Sequence, residues 1–225
     1  MSINVLYEDN HLLIVEKPVN IPVQGDASGD EDLLNMLKSY IKVKENKPGN
    51  VYLGLVHRLD RPVGGVIVFA KTSKAASRLS DQLRKNQIIR KYKVIVRGRM
   101  PVHEDKLTDH LLKDRRKNQV DVVGRNVNGA KKAILHYKVT AREEVKDLTL
   151  LGVRLETGRS HQVRVQLANA GNPLFGDQKY GRQHNKAGQQ IALWAYFLSF
   201  KHPTKDEMVE MECPPPDQHP WNLFF

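Results

Sequence analysis

The chain has 225 residues and a mass of 25.7 kDa, and its 36 Lys and Arg against 25 Asp and Glu give a formal net charge of +11. That length permits one domain or two fused lobes with a real core, and 40% hydrophobic with 27% charged residues excludes a disordered basic tail. Cys213 is the only cysteine, which excludes an intrachain disulfide, a thiolate zinc cage and a CxxC redox pair, and no run reaches the ~20 apolar residues of a membrane span.

In chain order, alternation of apolar and polar residues predicts strands at 3–7 and 12–15. Leu33, Leu34, Leu37, Tyr40 and Ile41 then form the stripe of an amphipathic helix, and Lys47-Pro48-Gly49-Asn50 reads as a turn. A strand at 66–69, a helix at 73–86 and a strand at 92–96 follow. Residues 115–129 read as an exposed loop or hairpin, and 134–139 and 148–155 as two more strands. Ser160 suits an N-cap and Gly171 a left-handed C-terminal cap, so 161–170 should be a short helix with His161 and Arg164 on one face. A last strand is expected at 191–200, before a turn at 213–216. Many strands with few helices argue for an α+β fold rather than a doubly wound one. No targeting signal opens the chain, so a cytoplasmic protein is expected, with a monomer preferred and no membrane partner.

The charge is unevenly placed: residues 1–60 carry −3, residues 61–132 carry +13 and residues 133–225 carry +1. Arg84, Lys85, Arg90, Lys91, Lys93, Arg97 and Arg99 follow one another with no acid between them, and Lys113, Arg115, Arg116, Lys117, Arg125, Lys131 and Lys132 come next. Such clusters on a folded surface suit a polyanion, because binding releases counterions from phosphates.

Three segments hold residues fit for chemistry. HRLDRPVGGVIVFAK, residues 57–71, places Asp60 between Arg58 and Arg61 and ahead of Gly64-Gly65, a pair that lets a backbone or a ligand come close. RKYKVIVRG, residues 90–98, sets Tyr92 at the start of a strand in the densest basic run. LETGRSHQVRVQLANAGNPLFGDQKYG, residues 155–181, leads from a strand through a turn into the helix that carries Arg164. Read singly, Asp60 is as well explained by a structural pairing with either arginine, and Tyr92 by packing.

Together, in this order and spacing, the three segments resemble the RluA family of RNA pseudouridine synthases. VLYEDNHLLIVEKP at residues 5–18 and ALWAYFLSFKHP at 192–203 extend the likeness over nearly the whole chain. The resemblance implies one catalytic domain over 1–225, with a mixed, mainly antiparallel central sheet flanked by helices and a cleft across the sheet. It also implies isomerisation of uridine in ribosomal or transfer RNA, with no cofactor and no metal. Residue by residue, the catalytic aspartate falls on Asp60, the active-site tyrosine on Tyr92 and the basic partner of the aspartate on Arg164. The arginine that helps extrude the target nucleotide falls on Arg58. Arg61, Arg90, Lys91, Lys93, Arg159 and His161 are the further candidates for contact with RNA. The chain departs from the family in having Pro62-Val63-Gly64-Gly65 after HRLDR and Gln166 where histidine is frequent. The family's small helical RNA-binding module has no counterpart ahead of the first motif, so recognition is expected to lie in the catalytic domain.

The chemistry suits these residues. A carboxylate can start the reaction by attacking the sugar or by abstracting a ribose proton. The base must be single stranded or flipped, at a cost of a few kcal/mol; Tyr92 offers it a stacking face and Arg58 could fill its place. Burial raises a carboxyl pKa by ~3–5 units, and a guanidinium at the position of Arg164 would keep Asp60 ionised. Two rivals stay open: an inactive relative that binds RNA or assists ribosome assembly, and a glycosidase or nucleoside hydrolase. The latter usually needs paired carboxylates, and the motif supplies one acid among arginines.

Overall fold

The computed structural model describes residues 3–225. The elements in chain order are β1 (Asn4–Glu8), β2 (Leu12–Lys17), α1 (Leu33–Lys44), β3 (Gly54–Leu55), β4 (Gly64–Ala70), α2 (Ser73–Arg84), β5 (Ile89–Arg97), β6 (Glu104–Asp114) and β7 (Gln119–Val123). They continue with β8 (Lys131–Glu143), β9 (Leu148–Leu155), α3 (Gln162–Asn169), β10 (Leu193–Lys201) and β11 (Met208–Glu212). The architecture is α+β. Two compact units divide the chain: one holds the residues up to Arg90 together with Ala195–Pro214, the other Lys91–Trp194 with Pro215–Phe225. No helix among the described residues is long and apolar enough to cross a membrane.

In the first unit the strands run in the order β1-β2-β4-β10, with β3 on β4 and β11 on β10. Leu12, Leu13, Ile14 and Val15 of β2 are fully buried, and every residue of β4 is buried too. Such unbroken apolar runs are those of strands covered on both faces. α1 starts where the Asp32 carboxylate accepts the Asn35 N–H at 3.0 Å, and it turns Leu33, Leu37 and Ile41 inward at intervals of four. α2 is capped by Thr72 and buries Ala75 and Leu79. Gly65 meets the expectation of close approach: its φ is +113°, and a Cβ there would stand 2.2 Å from the Ala195 carbonyl oxygen. No side chain fits at that position without moving β10.

In the second unit the order is β5-β9-β8-β6-β7, and the paired strands are antiparallel. The stretch read as an exposed loop or hairpin contains β7 and the turn that joins it to β6. In that turn the Asp114 carboxylate accepts the N–H groups of Arg116 at 2.8 Å and Lys117 at 3.1 Å. Val165 of α3 packs into a cluster with Leu111, Val120 and Ala133, so the helix lies against the hairpin. α3 is one residue shorter at each end than expected, and its cap is not Ser160. His161 occupies that place in the left-handed region, with φ 51°, and makes no side-chain capping bond. The C-terminus ends as expected: Asn172 N–H bonds to the Leu167 carbonyl and Gly171 N–H to that of Ala168, with Gly171 at φ +87°.

Candidate active site

In the first unit the chain makes a tight turn just before β4, where the Val63 N–H donates to the Asp60 carbonyl at 2.9 Å. Leu59 and Val63 are buried, Arg58 is exposed and Asp60 is half-buried. The carboxylate is therefore less enclosed than the expectation of a deeply desolvated acid. His57, the first residue of the motif, is buried and accepts the Val68 N–H at Nε2, 3.4 Å away. Burial, and after it the charge of Arg90, push its pKa down to about 3, so the ring is neutral near pH 7.

Lys17 holds this turn, and nothing in the sequence pattern singled it out. It is the last residue of β2, paired in register with Gly65, and it is entirely buried. Its Nζ donates to the carbonyls of Pro18 at 2.8 Å, Arg61 at 3.0 Å and Val63 at 2.7 Å. An ammonium has three N–H donors, and these three acceptors take them all. Burial pushes the Lys17 pKa down to about 7; the charge of Asp60 opposes that shift and Arg61 adds to it. The available signal was a lysine that closes the apolar run LLIVEK directly before Pro18.

Two of the candidates for contact with RNA are otherwise engaged. Arg61 donates to the Asn20 carbonyl at 3.1 Å and Ser28 Oγ at 3.0 Å and pairs with Asp30, so its guanidinium ties down the loop between β2 and α1. Arg90 is buried, 9% exposed, and near enough to His57 to depress its pKa. That placement differs from the exposed cation that phosphate attraction requires, because β5 alternates and puts Arg90 on the same inward face as Tyr92 and Val94.

In the second unit Tyr92 is buried on β5 opposite Val153, and Lys91 and Lys93 are half-buried on the other face. The turn TGRSHQ is clipped to β8 by two side chains. Thr157 Oγ1 accepts the Ile134 N–H at 2.8 Å and donates to Gln162 Oε1 at 2.8 Å, and Gln162 Nε2 donates to the Ile134 carbonyl at 3.0 Å. Arg159 is exposed and sends its Nε to the Lys132 carbonyl at 3.0 Å.

Arg164 is buried on α3 and meets Asp177 side-on, with Nε to Oδ2 and Nη2 to Oδ1 both at 2.8 Å. Asp177 Oδ1 also accepts the N–H groups of Lys179 at 2.9 Å and Tyr180 at 3.2 Å. Burial alone would raise the Asp177 pKa, but Arg164 and these two N–H groups hold it below the ordinary value. A guanidinium gripped at two atoms keeps a fixed plane. The ring of Tyr180 lies 5.2 Å from the Arg164 guanidinium and makes an edge contact with His161, so both residues meet Tyr180 although His161 stands ahead of α3 rather than on its face. Asp177 and Tyr180 escaped the sequence reading because they lie in a segment without periodicity; GDQKYG after the helix was the only trace. Among the described residues no His, Cys, Asp or Glu side chains cluster as metal ligands.

Asp60 thus stands in a lysine-braced turn of the first unit, and Tyr92 and Arg164 on ordered elements of the second. A family model described as RNA pseudouridylate synthase matches residues 11–169. The chain belongs to that family. It is 34% identical over 231 residues to an uncharacterized RNA pseudouridine synthase of Aquifex aeolicus, covering 96% of this chain and 71% of that protein. It is 35% identical over 216 residues to an uncharacterized RNA pseudouridine synthase of Bacillus subtilis, covering 96% and 69%. It is 34% identical over 233 residues to ribosomal large subunit pseudouridine synthase D of Vibrio cholerae, covering 96% and 68%. The fold is that of human RNA pseudouridylate synthase domain containing 4, with a TM-score of 0.79 at 22% identity over 95% of this chain and 88% of that one. The synthase is therefore an isomerase, and the fold class implied by its three motifs is the one found.

Arg164→Met in this synthase should cost about 3–5 kcal/mol of stability, because Asp177 would stay buried without its counter-charge. Urea denaturation measures that loss. An unchanged midpoint would show that the pair contributes nothing to the fold.

Proposed function

We propose that this synthase isomerises specific uridines in structured RNA, ribosomal or transfer, with Asp60 as the catalytic carboxylate. Tyr92 stacks on the extruded base, Arg164 supplies the positive charge that Asp60 needs, and Arg58 fills the gap left by the flipped nucleotide. The observation that carries this reading is the Asp60 turn, in which a buried lysine spends its three donors on the backbone around one half-exposed carboxylate. A carboxylate held on a rigid, partly exposed turn is suited to reach a substrate atom. Ribosomal RNA is favoured by relatives that carry the name of large-subunit synthases. A monomer in the cytoplasm is part of the same proposal, and gel filtration with and without RNA tests the monomer.

The experiment is release of tritium from RNA labelled at carbon-5 of uridine, with ribosomal and transfer RNA as separate substrates. Release from either supports the isomerase, and release from one alone names the substrate. Free uracil among the products would favour a hydrolase, and RNA binding without release an inactive binder.

The exposed cations of the β6–β7 turn, Arg115, Arg116 and Lys117, are the part of the charge best placed to attract phosphates. Changing all three to alanine should weaken RNA binding and reduce the slope of log affinity against log salt by about 2–3, near 0.9 for each phosphate that is no longer neutralised. Filter binding between about 50 and 200 mM salt reads this, and a parental slope in the variant would place the phosphate-binding cations elsewhere.

A further inference from the structure

We infer that the Tyr180 hydroxyl is a positioning group that couples the basic hairpin β6–β7 to the guanidinium of Arg164. The inference rests on the reading that the hairpin turn engages RNA and that Arg164 serves the reaction. β7 pairs with β6, with Val120 opposite Lys113, and Val120 is buried at 2% exposure. A buried backbone donor must find an acceptor, and the Val120 N–H finds Tyr180 Oη at 2.9 Å. The same oxygen lies 2.7 Å from His161 Nδ1, at the residue that opens α3. The ring that carries it stands 5.2 Å from the Arg164 guanidinium.

A second tie follows the same line, because Lys179 Nζ donates to the Asn118 carbonyl at 2.9 Å, in the turn that presents Arg115, Arg116 and Lys117. Asp177 completes the connection, since its Oδ1 accepts both from Arg164 and from the Tyr180 N–H. The turn, β7, Tyr180 and Arg164 therefore form one chain of hydrogen bonds and ring contacts. Phosphates that settle on the turn would hold β7 in place, and Tyr180 would carry that constraint to the plane of the guanidinium. Tyr180 acts through Arg164 and is not itself a reacting group.

Tyr180→Phe keeps the ring and the Lys179 tie and removes the hydroxyl's links to Val120 and His161. At saturating RNA its single-turnover rate should fall about tenfold, the upper end of what one hydrogen bond carries, with RNA affinity within about twofold of the parent. RNA should slow hydrogen exchange across residues 162–169 in the parent and not in Tyr180→Phe. His161→Asn, which keeps a side chain that tolerates the left-handed backbone, removes the other partner of the hydroxyl and should reduce the rate about threefold. A purely structural latch would lower the melting temperature and leave the saturating rate unchanged, which would overturn the inference. Equal exchange protection by RNA in parent and variant would overturn it too. If the parent isomerises no RNA, the catalytic reading fails, and the exchange experiment still decides the coupling. If the parent binds no RNA, both fail together.

Discussion

Asp60→Asn is expected to abolish tritium release from carbon-5-labelled RNA, a loss of about ten-thousand-fold in single-turnover rate, with RNA affinity changed by less than about twofold. Pseudouridine formation breaks the bond between the ribose and the base nitrogen, turns the base and rejoins it through a base carbon. Whether the carboxylate attacks the sugar or takes a ribose proton, the amide of asparagine can do neither. The substitution keeps the shape of the side chain, so the turn around it should persist and the melting temperature should move by no more than a few degrees. Residual release at a tenth of the parental rate would show that another group starts the reaction.

Lys17→Met should be the most damaging change outside the reacting groups. Methionine fills the space but leaves the carbonyls of Pro18, Arg61 and Val63 without donors in the interior. At about 1–3 kcal/mol for each unsatisfied group, with some relaxation, a loss near 4 kcal/mol is expected in urea denaturation. The parent should also show a pH effect with two opposite signs. The folded pKa of Lys17 is pushed down to about 7 from an ordinary value of 10.5. Between those values the unfolded chain binds more protons than the folded one, so this group's contribution to stability rises with pH. Activity should run the other way. Above about pH 7 the neutral amine has two N–H donors for three carbonyls, and the Lys17 charge near Asp60 is gone. The rate at saturating RNA should fall on that alkaline limb. A limb that persists unchanged in Lys17→Arg, which stays charged, would assign it to another group.

What could be read from the sequence follows from how each residue comes to its position. β4 was legible because its buried run is apolar and unbroken, and β9 because Leu148, Leu150, Leu151 and Val153 outweigh the one buried polar residue, Thr149. β6 was not: Glu104, Asp105, Lys106, His110 and Lys113 occupy both faces, and pairing with β8 on one side and β7 on the other keeps it extended. Asp60 and Arg164 were singled out by motifs that resemble the family's, and helical spacing placed Arg164 on α3. Lys17 was hidden because a fully buried lysine is the rarest reading of that residue type. Asp177 and Tyr180 were hidden because a loop imposes no period from which a contact with Arg164 could be read. Ser160 misled for a local reason: its hydroxyl faces Lys113 Nζ at 3.5 Å, and His161 opens the helix.

The division of the chain also bears on the order in which the protein can be made. Residues 91–194 are nearly a whole unit in one stretch, whereas the unit that carries Asp60 is missing β10 and β11 until Pro214 has been synthesised. A nascent chain can therefore complete the basic hairpin and α3 while β4, apolar throughout, still lacks its neighbour β10. For that interval an open strand edge is exposed to other chains. A chain cut short after α3 and before β10 should thus be competent to meet polyanions yet prone to aggregate, and the carboxylate's turn becomes secure only once β10 and β11 have been made.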